Sequence, residues 1–117
     1  MSFTLTMSGV IVGRSELEGR DPASRAVRGV FRPGLGYDLA EPVFSLYDNA
    51  QGDQAALERY RRARDALRLQ LTNAMGEPVS FRELHIQRGE ATAGGTEYIM
   101  EVVSDDPRLW NAPTQSA

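Results

Sequence analysis

Apolar residues recur with helical spacing through residues 54–75, and this segment predicts the longest helix of the chain. Asp53 can cap its first turn, whereas Gly76 and Pro78 predict where the helix ends. A helix of this length would extend roughly 33 Å, enough to cross a small sheet. Eight apolar side chains fall within about 60° of one another at helical spacing, namely Ala56, Leu57, Tyr60, Ala63, Leu67, Leu71, Ala74 and Met75.

Alternating or continuous apolar runs elsewhere predict short strands. Phe3, Leu5 and Met7 alternate with polar residues, and a bend or bulge at Gly9 would separate them from the apolar run that follows. Pro42 indicates a sheet edge or a bulge in the third strand, because proline lacks a backbone N–H. The remaining predicted strands span residues 26–32, 37–47, 79–87 and 96–104, with a flexible loop over residues 88–95.

The order of these elements predicts the fold class. We expect an α+β fold in which a mainly antiparallel sheet of about five strands, in the order β-β-β-α-β-β, packs against one long helix. A chain of 117 residues with 41% hydrophobic residues supports one core. We therefore expect a single domain over residues 1–104 and a polar, partly flexible C-terminal tail over residues 105–117, which Leu109 and Trp110 could dock.

The composition excludes several kinds of functional site. Cysteine is absent, which excludes disulfides, thiolate nucleophiles and cysteine metal ligands. His85 is the single histidine, which excludes zinc sites built from several histidines. We therefore expect no metal site and no cofactor. The N-terminal residues lack the pattern of a secretory leader, and no apolar run reaches about 18 residues, so we expect a cytoplasmic protein without a membrane contact.

The charge distribution argues against nucleic acid as a partner. The net charge is −3, and all thirteen basic residues are arginine. Residues 53–76 carry five arginines and three acidic residues, a net charge of +2, which leaves −5 for the rest of the chain. A nucleic-acid-binding domain usually carries a basic excess over a whole face, with aromatic residues for stacking. Nucleic-acid binding is therefore unlikely.

Residues 13–22 form the densest charged segment outside the predicted helix. Their carboxylates are candidates for a divalent cation site or for acid-base chemistry, although alternating charges are also typical of a solvated turn. This segment and the strand after it contain a spaced pattern of residues, namely Gly13, Arg14, Ser15, Leu17, Glu18, Asp21, Pro22, Val27, Gly29, Phe31 and Pro33. The pattern resembles a recurring arrangement in small uncharacterised bacterial proteins. The resemblance implies a shared hairpin and no known activity.

His85 is the main candidate for acid-base chemistry. On its predicted strand it shares a face with Glu83, and Glu101 of the neighbouring strand could lie opposite it. With Arg64 these side chains could line a pocket between sheet and helix. No nucleophile motif accompanies the histidine, and a strand histidine that is exposed or satisfied by a partner is the commoner arrangement.

A second group of residues could contact a partner. Three arginines follow one flank of the predicted helix, one leucine points away from its apolar stripe, and the tail adds an aromatic side chain; these residues are Arg61, Arg64, Arg68, Leu69 and Trp110. We therefore favour a non-enzymatic small bacterial protein that binds another protein, in an interaction, immunity-type or accessory role, or that self-associates. The alternative is a small-ligand binder or enzyme that uses the His85 pocket.

Overall fold

A computed structural model describes residues 2–50, 52–92 and 95–110 of the chain. It shows an α+β fold with a curled antiparallel sheet, which confirms the predicted class. The described residues form eight strands and three short helices, so the prediction of about five strands and one long helix is wrong. The elements are β1 (Phe3–Met7), β2 (Val10–Ser15), β3 (Gly19–Asp21), β4 (Ala26–Pro33), α1 (Tyr37–Asn49), α2 (Gln54–Ala66), β5 (Leu69–Thr72), β6 (Pro78–Val79), β7 (Glu83–Thr92), β8 (Gly95–Val103) and α3 (Pro107–Trp110).

The sheet has the strand order β6-β5-β1-β2-β4-β8-β7, and each neighbouring pair is antiparallel. β2 pairs with the C-terminal part of β4, and β3 pairs with the N-terminal part of β4. Helices α1 and α2 pack against each other, and α1 also packs against β7 at the end of this order. The core between these layers has as its largest fully buried side chains Tyr60, Phe3, Phe31, Phe44, Leu5, Leu17, Leu71, Leu84, Ile86, Met100, Leu109 and Val12.

The first strand forms as predicted, and of the two alternatives at Gly9 the structure shows a bend, which is a turn, and not a bulge. Phe3 and Leu5 are fully buried on one face of β1. Ser8 and Gly9 have φ angles of 51° and 83°, so they form a two-residue turn in which both residues are left-handed. Such a turn joins adjacent antiparallel strands with the right-handed twist of a sheet. The N-terminal apolar segment is therefore a hairpin of β1 and β2.

The predicted third strand, residues 37–47, is wrong because this segment is helix α1. Its buried residues are Tyr37, Ala40 and Phe44, which are three and four positions apart and therefore lie on one helical face. Pro42 lies inside the helix, where it removes one backbone hydrogen bond. The rings of Tyr37 and Phe44 are buried on this face, so tertiary packing favours the helix although Pro42 weakens it.

The long helix is also shorter than predicted. Asp53 caps α2 as expected, because its Oδ1 accepts a hydrogen bond of 3.1 Å from the backbone N–H of Ala56. The helix ends at Ala66, and Arg68 has a φ angle of 54°, which no α-helix accommodates. The segment after it becomes β5, which hydrogen-bonds to the free side of β1. Pairing with β1 therefore overrides the helical pattern beyond Ala66.

The change from helix to strand moves the residues that were assigned to the end of the helix. Leu71 is fully buried opposite Leu5, whereas Leu69 is half-buried opposite Met7 and packs on the core. The prediction that Leu69 points outward is therefore wrong. Gly76, with a φ angle of 82°, lies in the turn between β5 and β6 rather than at the end of a helix.

The remaining strand predictions hold in outline. Residues 26–32 and 96–104 correspond to β4 and β8, whereas residues 79–87 divide between β6 and β7. Both β7 and β8 extend into the predicted loop over residues 88–95, of which residues 93 and 94 lie outside the described residues.

The start of the predicted C-terminal tail packs on the domain. Helix α3 follows β8 within residues 105–110, and its Leu109 is fully buried. Residues 111–117, where the sequence predicts flexibility, lie outside the described residues.

The boundary of α2 can be tested with two glycine substitutions. We expect Arg68→Gly to raise the free energy of unfolding by roughly 0.5 to 1 kcal/mol, because glycine adopts a left-handed conformation without a steric penalty. Arg62→Gly, on the exposed side of α2, should instead lower it by about 1 kcal/mol. Urea unfolding of both variants measures the difference. A helix that continued through residue 68 would make both substitutions destabilising.

Candidate functional site

Four of the predicted site residues come together where α2 meets β7. Glu83 lies at the start of β7, and its Oε1 is the shared acceptor of the group. It lies 3.1 Å from Nη1 of Arg64, 3.3 Å from Nε2 of His85 and 3.4 Å from Nε of Arg61. We refer to Arg61, Arg64, Glu83, His85 and Tyr60 as the Glu83 cluster.

Helical spacing places the two most buried members of α2 in this cluster. Tyr60 and Arg64 are four residues apart, so both side chains point from the same face of α2 toward β7. Tyr60 is fully buried, and the side chain of Arg64 is only 5% exposed. Arg64 also contacts Oδ1 of Asp65 through Nε at 3.3 Å and Nη2 at 3.2 Å. The guanidinium is therefore surrounded by partners within the chain.

His85 is enclosed in the same way. The ring of Tyr47 from α1 stacks on the imidazole, with 4.1 Å between ring centroids and 6° between planes. Nδ1 of the imidazole lies 2.9 Å from Oη of Tyr60, which is also 3.0 Å from the carbonyl oxygen of Leu84. Since the carboxylate of Glu83 can only accept, the neutral histidine carries its proton on Nε2. Nδ1 is then an acceptor that shares the single hydrogen of the Tyr60 hydroxyl with the carbonyl oxygen of Leu84.

The electrostatic environment keeps His85 neutral and the ion pair charged. The pKa of His85 is lowered to about 4, mainly by burial. The negative charge of Glu83 raises this pKa, whereas the positive charges of Arg64 and Arg61 lower it further. Burial would raise the pKa of Glu83, but the hydrogen bond and charge of Arg64 lower it below its usual value. Burial would lower the pKa of Arg64, but Glu83 raises it by the same hydrogen bond. The cluster therefore holds a charged ion pair and a neutral imidazole at pH 7.

This arrangement is suited to holding α2 on β7 rather than to acid-base chemistry. A histidine with a pKa of about 4 is a weak base at neutral pH. Its ring is 9% exposed. Within the described residues, every buried side-chain nitrogen or oxygen has a hydrogen-bond partner inside the chain.

Glu101 does not join the cluster. It pairs with His85 in the register of β7 and β8, and with Arg28 in the register of β8 and β4. Its side chain lines a separate depression of about 320 Å³ together with residues of the β3–β4 hairpin, including Arg20 and Asp21. Glu101 thus lies opposite His85, as the sequence predicts, but within the described residues the carboxylate in contact with the imidazole is that of Glu83.

The other residues predicted to contact a partner are separated from one another. Arg68 is exposed beyond the end of α2, so it does not continue a row from Arg61 and Arg64. Trp110 donates from Nε1 to the carbonyl oxygen of Ser104 at 2.6 Å, and the guanidinium of Arg25 lies 4.7 Å from its ring centroid. These contacts fix α3 on the domain. The predicted arginine row is therefore wrong, and Trp110 already has contacts within the chain.

The charged segment 13–22 has a structural role. Oγ of Ser15 accepts a hydrogen bond of 3.2 Å from the backbone N–H of Leu17, a fully buried residue with a φ angle of 46°. Gly29 lies against this turn, where a Cβ atom would come within 2.9 Å of both groups. Ser15, Leu17 and Gly29 thus lie together where the chain passes from β2 to the β3–β4 hairpin. No group of three or more metal-ligating side chains occurs in the described part of the chain.

The feature that sequence reasoning missed is an apolar outward face on α1. Leu39 is 66% exposed and Leu46 is 44% exposed, with Pro42 exposed between them. At helical spacing these residues lie on the side opposite to Ala40 and Phe44, which are buried. The prediction of a strand over residues 37–47 hides this face, because a strand pattern does not separate the two helical stripes. The signal was the spacing of leucines and proline at residues 35, 39, 42 and 46.

Strand β2 extends this apolar face at the start of α1. Val10 is 43% exposed and Ile11 is 41% exposed, while Leu35 in the turn before α1 is 99% exposed. The backbone N–H of Gly36 donates to the carbonyl oxygen of Ile11 at 3.0 Å. A Cβ atom on Gly36 would lie 2.7 Å from Cγ1 of Val10, so this close approach requires glycine. We call the exposed side chains of Val10, Ile11, Leu35, Leu39, Pro42 and Leu46 the outer α1 surface.

A groove lies at the β2 end of the outer α1 surface. Its volume is about 600 Å³, and its walls come from β2, the end of β4 and the turn before α1. Arg14 and Arg32 line it and are directly opposite each other in the β2–β4 pairing. Nη1 of Arg32 is 3.9 Å from Oε2 of Glu16, whereas Arg14 has no ion pair within the described residues. The groove therefore combines apolar lining residues with two arginines that are paired across β2 and β4.

Comparison with protein-family models, with curated protein sequences and with solved structures finds no match for this chain. Within the described residues, the helices are all too short or too polar to cross a bilayer. The structure defines the class of the protein as an α+β domain with a curled antiparallel sheet. Its two notable features are the largely buried Glu83 cluster and the exposed outer α1 surface.

If the Glu83 cluster holds α2 on β7, its two arginines should contribute differently to the free energy of unfolding. Arg64→Met should lower the free energy of unfolding by roughly 3 kcal/mol, because it leaves Glu83 without its best-placed partner in a partly buried position. Arg61→Met should cost less than about 1 kcal/mol, since Arg61 is 40% exposed. Chemical denaturation measures both values, and equal losses would contradict the assignment of Arg64 as the main link.

Stability should depend on pH through His85. An unfolded histidine gains a proton near pH 6.5, whereas folded His85 resists protonation until about pH 4. Between these values the unfolded state binds more protons, so the free energy of unfolding should decrease by about 3 kcal/mol as the pH falls. The contribution is fully present above pH 6.5 and is lost progressively toward pH 4.

Urea unfolding of the wild type and of His85→Gln across this pH range measures the effect. We expect the variant to be less stable at pH 7 but to show a flatter profile, because glutamine does not titrate. Parallel profiles for the two proteins would show that another group controls the acid sensitivity.

Proposed function

We propose that this protein is a non-enzymatic binding module that holds another protein on the outer α1 surface. The observation that carries this proposal is the outward apolar face of α1, a helix whose opposite face already packs in the core. A surface helix usually presents polar residues to water on that side. Contiguous exposed apolar side chains on a soluble domain commonly mark a protein interface.

Leu35 and Leu39 have the exposure expected of anchors that a partner covers. Leu35 is almost fully exposed at the rim of the groove, and Leu39 follows it on the first turns of α1. Burying a leucine side chain contributes roughly 1.5 to 3 kcal/mol, so a few such residues supply a substantial part of a binding free energy. The groove adds a concave feature into which a partner side chain can fit.

The state of the Glu83 cluster supports a binding role over a catalytic one. Its imidazole is covered by Tyr47 and hydrogen-bonded to Tyr60, so substrate would have to displace both contacts. The depressions described above are lined by other residues. The alternative of a small-ligand site at His85 is therefore less well supported.

The arginine pair favours a different protein over a second copy of this chain. A symmetric dimer centred on the groove would bring Arg14 and Arg32 of both copies around one axis. Four like charges at one interface would repel one another unless anions separated them. The sequence predicts that binding takes place in a bacterial cytoplasm, in an accessory or immunity-type role, and both statements stay predictions.

Site-specific photo-crosslinking in cells that express the chain natively can identify the partner. A photo-reactive phenylalanine analogue in place of Leu39 should give a discrete adduct with another protein, whereas the same analogue in place of Met75 should not. Met75 is a matched control because it is an apolar residue with 74% exposure in the turn between β5 and β6. An adduct that contains only a second copy of the chain would contradict the proposal.

Binding of the purified partner should then depend on the outer α1 surface. We expect Leu39→Asp to weaken the affinity at least about tenfold, because it removes apolar contact and places a charge in the interface. Met75→Asp, which makes the same kind of change outside that surface, should leave the affinity unchanged. Calorimetric titration measures both values, and thermal unfolding checks that the variants fold. Equal affinities for the wild type and Leu39→Asp would overturn the proposed surface.

A further inference from the structure

We infer that the partner segment held in the groove is acidic, with apolar side chains against Ile11 and Leu35 and carboxylates on Arg14 and Arg32. This inference rests on the proposed function, because it identifies what kind of protein segment the outer α1 surface receives. It starts from the pairing of β2 with β4, which places the two arginines opposite each other.

Directly opposed residues on antiparallel strands point to the same face of the sheet, with Cβ atoms about 5 Å apart. Two guanidinium groups in that position repel each other, and such like-charged pairs are destabilising. An anion between Arg14 and Arg32 would convert this repulsion into two favourable interactions. A carboxylate suits the position because it accepts parallel hydrogen bonds from the planar guanidinium group.

Among the described residues, the one ion pair with either arginine is the long contact between Arg32 and Glu16. The approach of Arg32 to Glu16 is 3.9 Å, beyond the length of a charge-assisted hydrogen bond, and the Arg32 side chain is 70% exposed. Arg14 is exposed and has no ion pair within the residues that the structure describes. Both guanidinium groups are therefore able to reach a bound segment.

The rest of the groove is apolar and adjoins the helix. Val10 and Ile11 form one wall, and Pro33 and Leu35 form another. A volume of about 600 Å³ is within the range of sites that enclose several side chains. A segment that places leucine, isoleucine or an aromatic residue beside aspartate or glutamate satisfies both parts of the groove. A basic or purely apolar segment satisfies at most one.

A phage-displayed library of random peptides of about twelve residues tests this inference without knowledge of the natural partner. The wild-type protein serves as bait, and peptides that also bind the Ile11→Asp, Leu35→Asp double variant are discarded. We expect the remaining peptides to be enriched in acidic residues next to apolar ones. Their binding to the wild type should weaken markedly between about 50 and about 300 mM salt.

The selected peptides are then synthesised and titrated against two matched charge variants. Arg14→Gln with Arg32→Gln should weaken binding at least about tenfold, as expected when charged contacts to a carboxylate are lost. Arg62→Gln with Arg68→Gln changes the net charge equally, at exposed positions on and beyond α2, and should have less than about a twofold effect. All four positions are exposed, and thermal unfolding verifies the fold of each variant.

The possible failures are distinguishable. Peptides that require Ile11 and Leu35 but lack acidic residues, and that bind the Arg14→Gln, Arg32→Gln protein as tightly as the wild type, would overturn the acidic partner and leave the docking surface in place. A library that yields no peptide dependent on Ile11 and Leu35 would overturn the docking surface itself.

Discussion

The ion pair between Arg64 and Glu83, covered by Tyr60 and His85, is the interaction on which the arrangement of helices depends. It joins α2 to β7, which is the last strand in the order of the sheet. The hydroxyl of Tyr60 also contacts the backbone carbonyl of Leu84, so the helix satisfies part of the backbone of a terminal strand. Unpaired backbone groups on such a strand otherwise invite association with other chains. The group of side chains that most resembles an active site thus covers the terminal strand of the sheet with a helix.

Once α2 is fixed in this way, the position of α1 follows. Phe44 and Tyr47 of α1 lie against Tyr60, and Tyr47 stacks on His85. These contacts pack the inner face of α1 against α2 and β7. Its outer face remains apolar although no other element of the described chain buries it. The same packing that closes the Glu83 cluster therefore leaves the surface that we propose as the binding site.

The cluster also shows why residue types alone are a poor guide to chemistry. A histidine, a carboxylate and an arginine in close contact are the components of many active sites. Here the sequence spacing places Glu83 and His85 on one face of β7, and packing of α2 adds Arg64. Burial lowers the pKa of His85, so the imidazole is neutral, and both of its nitrogens have partners within the chain. Function follows from which groups remain accessible, and that property depends on neighbours from distant parts of the chain.

The sequence by itself determined the α+β class, the first hairpin strand, β4, β8 and the N-terminal cap at Asp53, because these depend on local alternation and capping. It also indicated that Glu83 shares a strand face with His85. Only the tertiary structure decided that α2 ends at Ala66. The segment beyond it pairs with β1, a strand more than 60 residues away in the sequence, and a local pattern does not indicate such a pairing. Likewise, residues 37–47 fit either a strand or a helix by local pattern. Packing of Phe44 and Tyr47 against Tyr60 and His85, and of Tyr37 against Phe31 and Tyr98, selected the helix. The exposed face of α1 is a consequence of that choice.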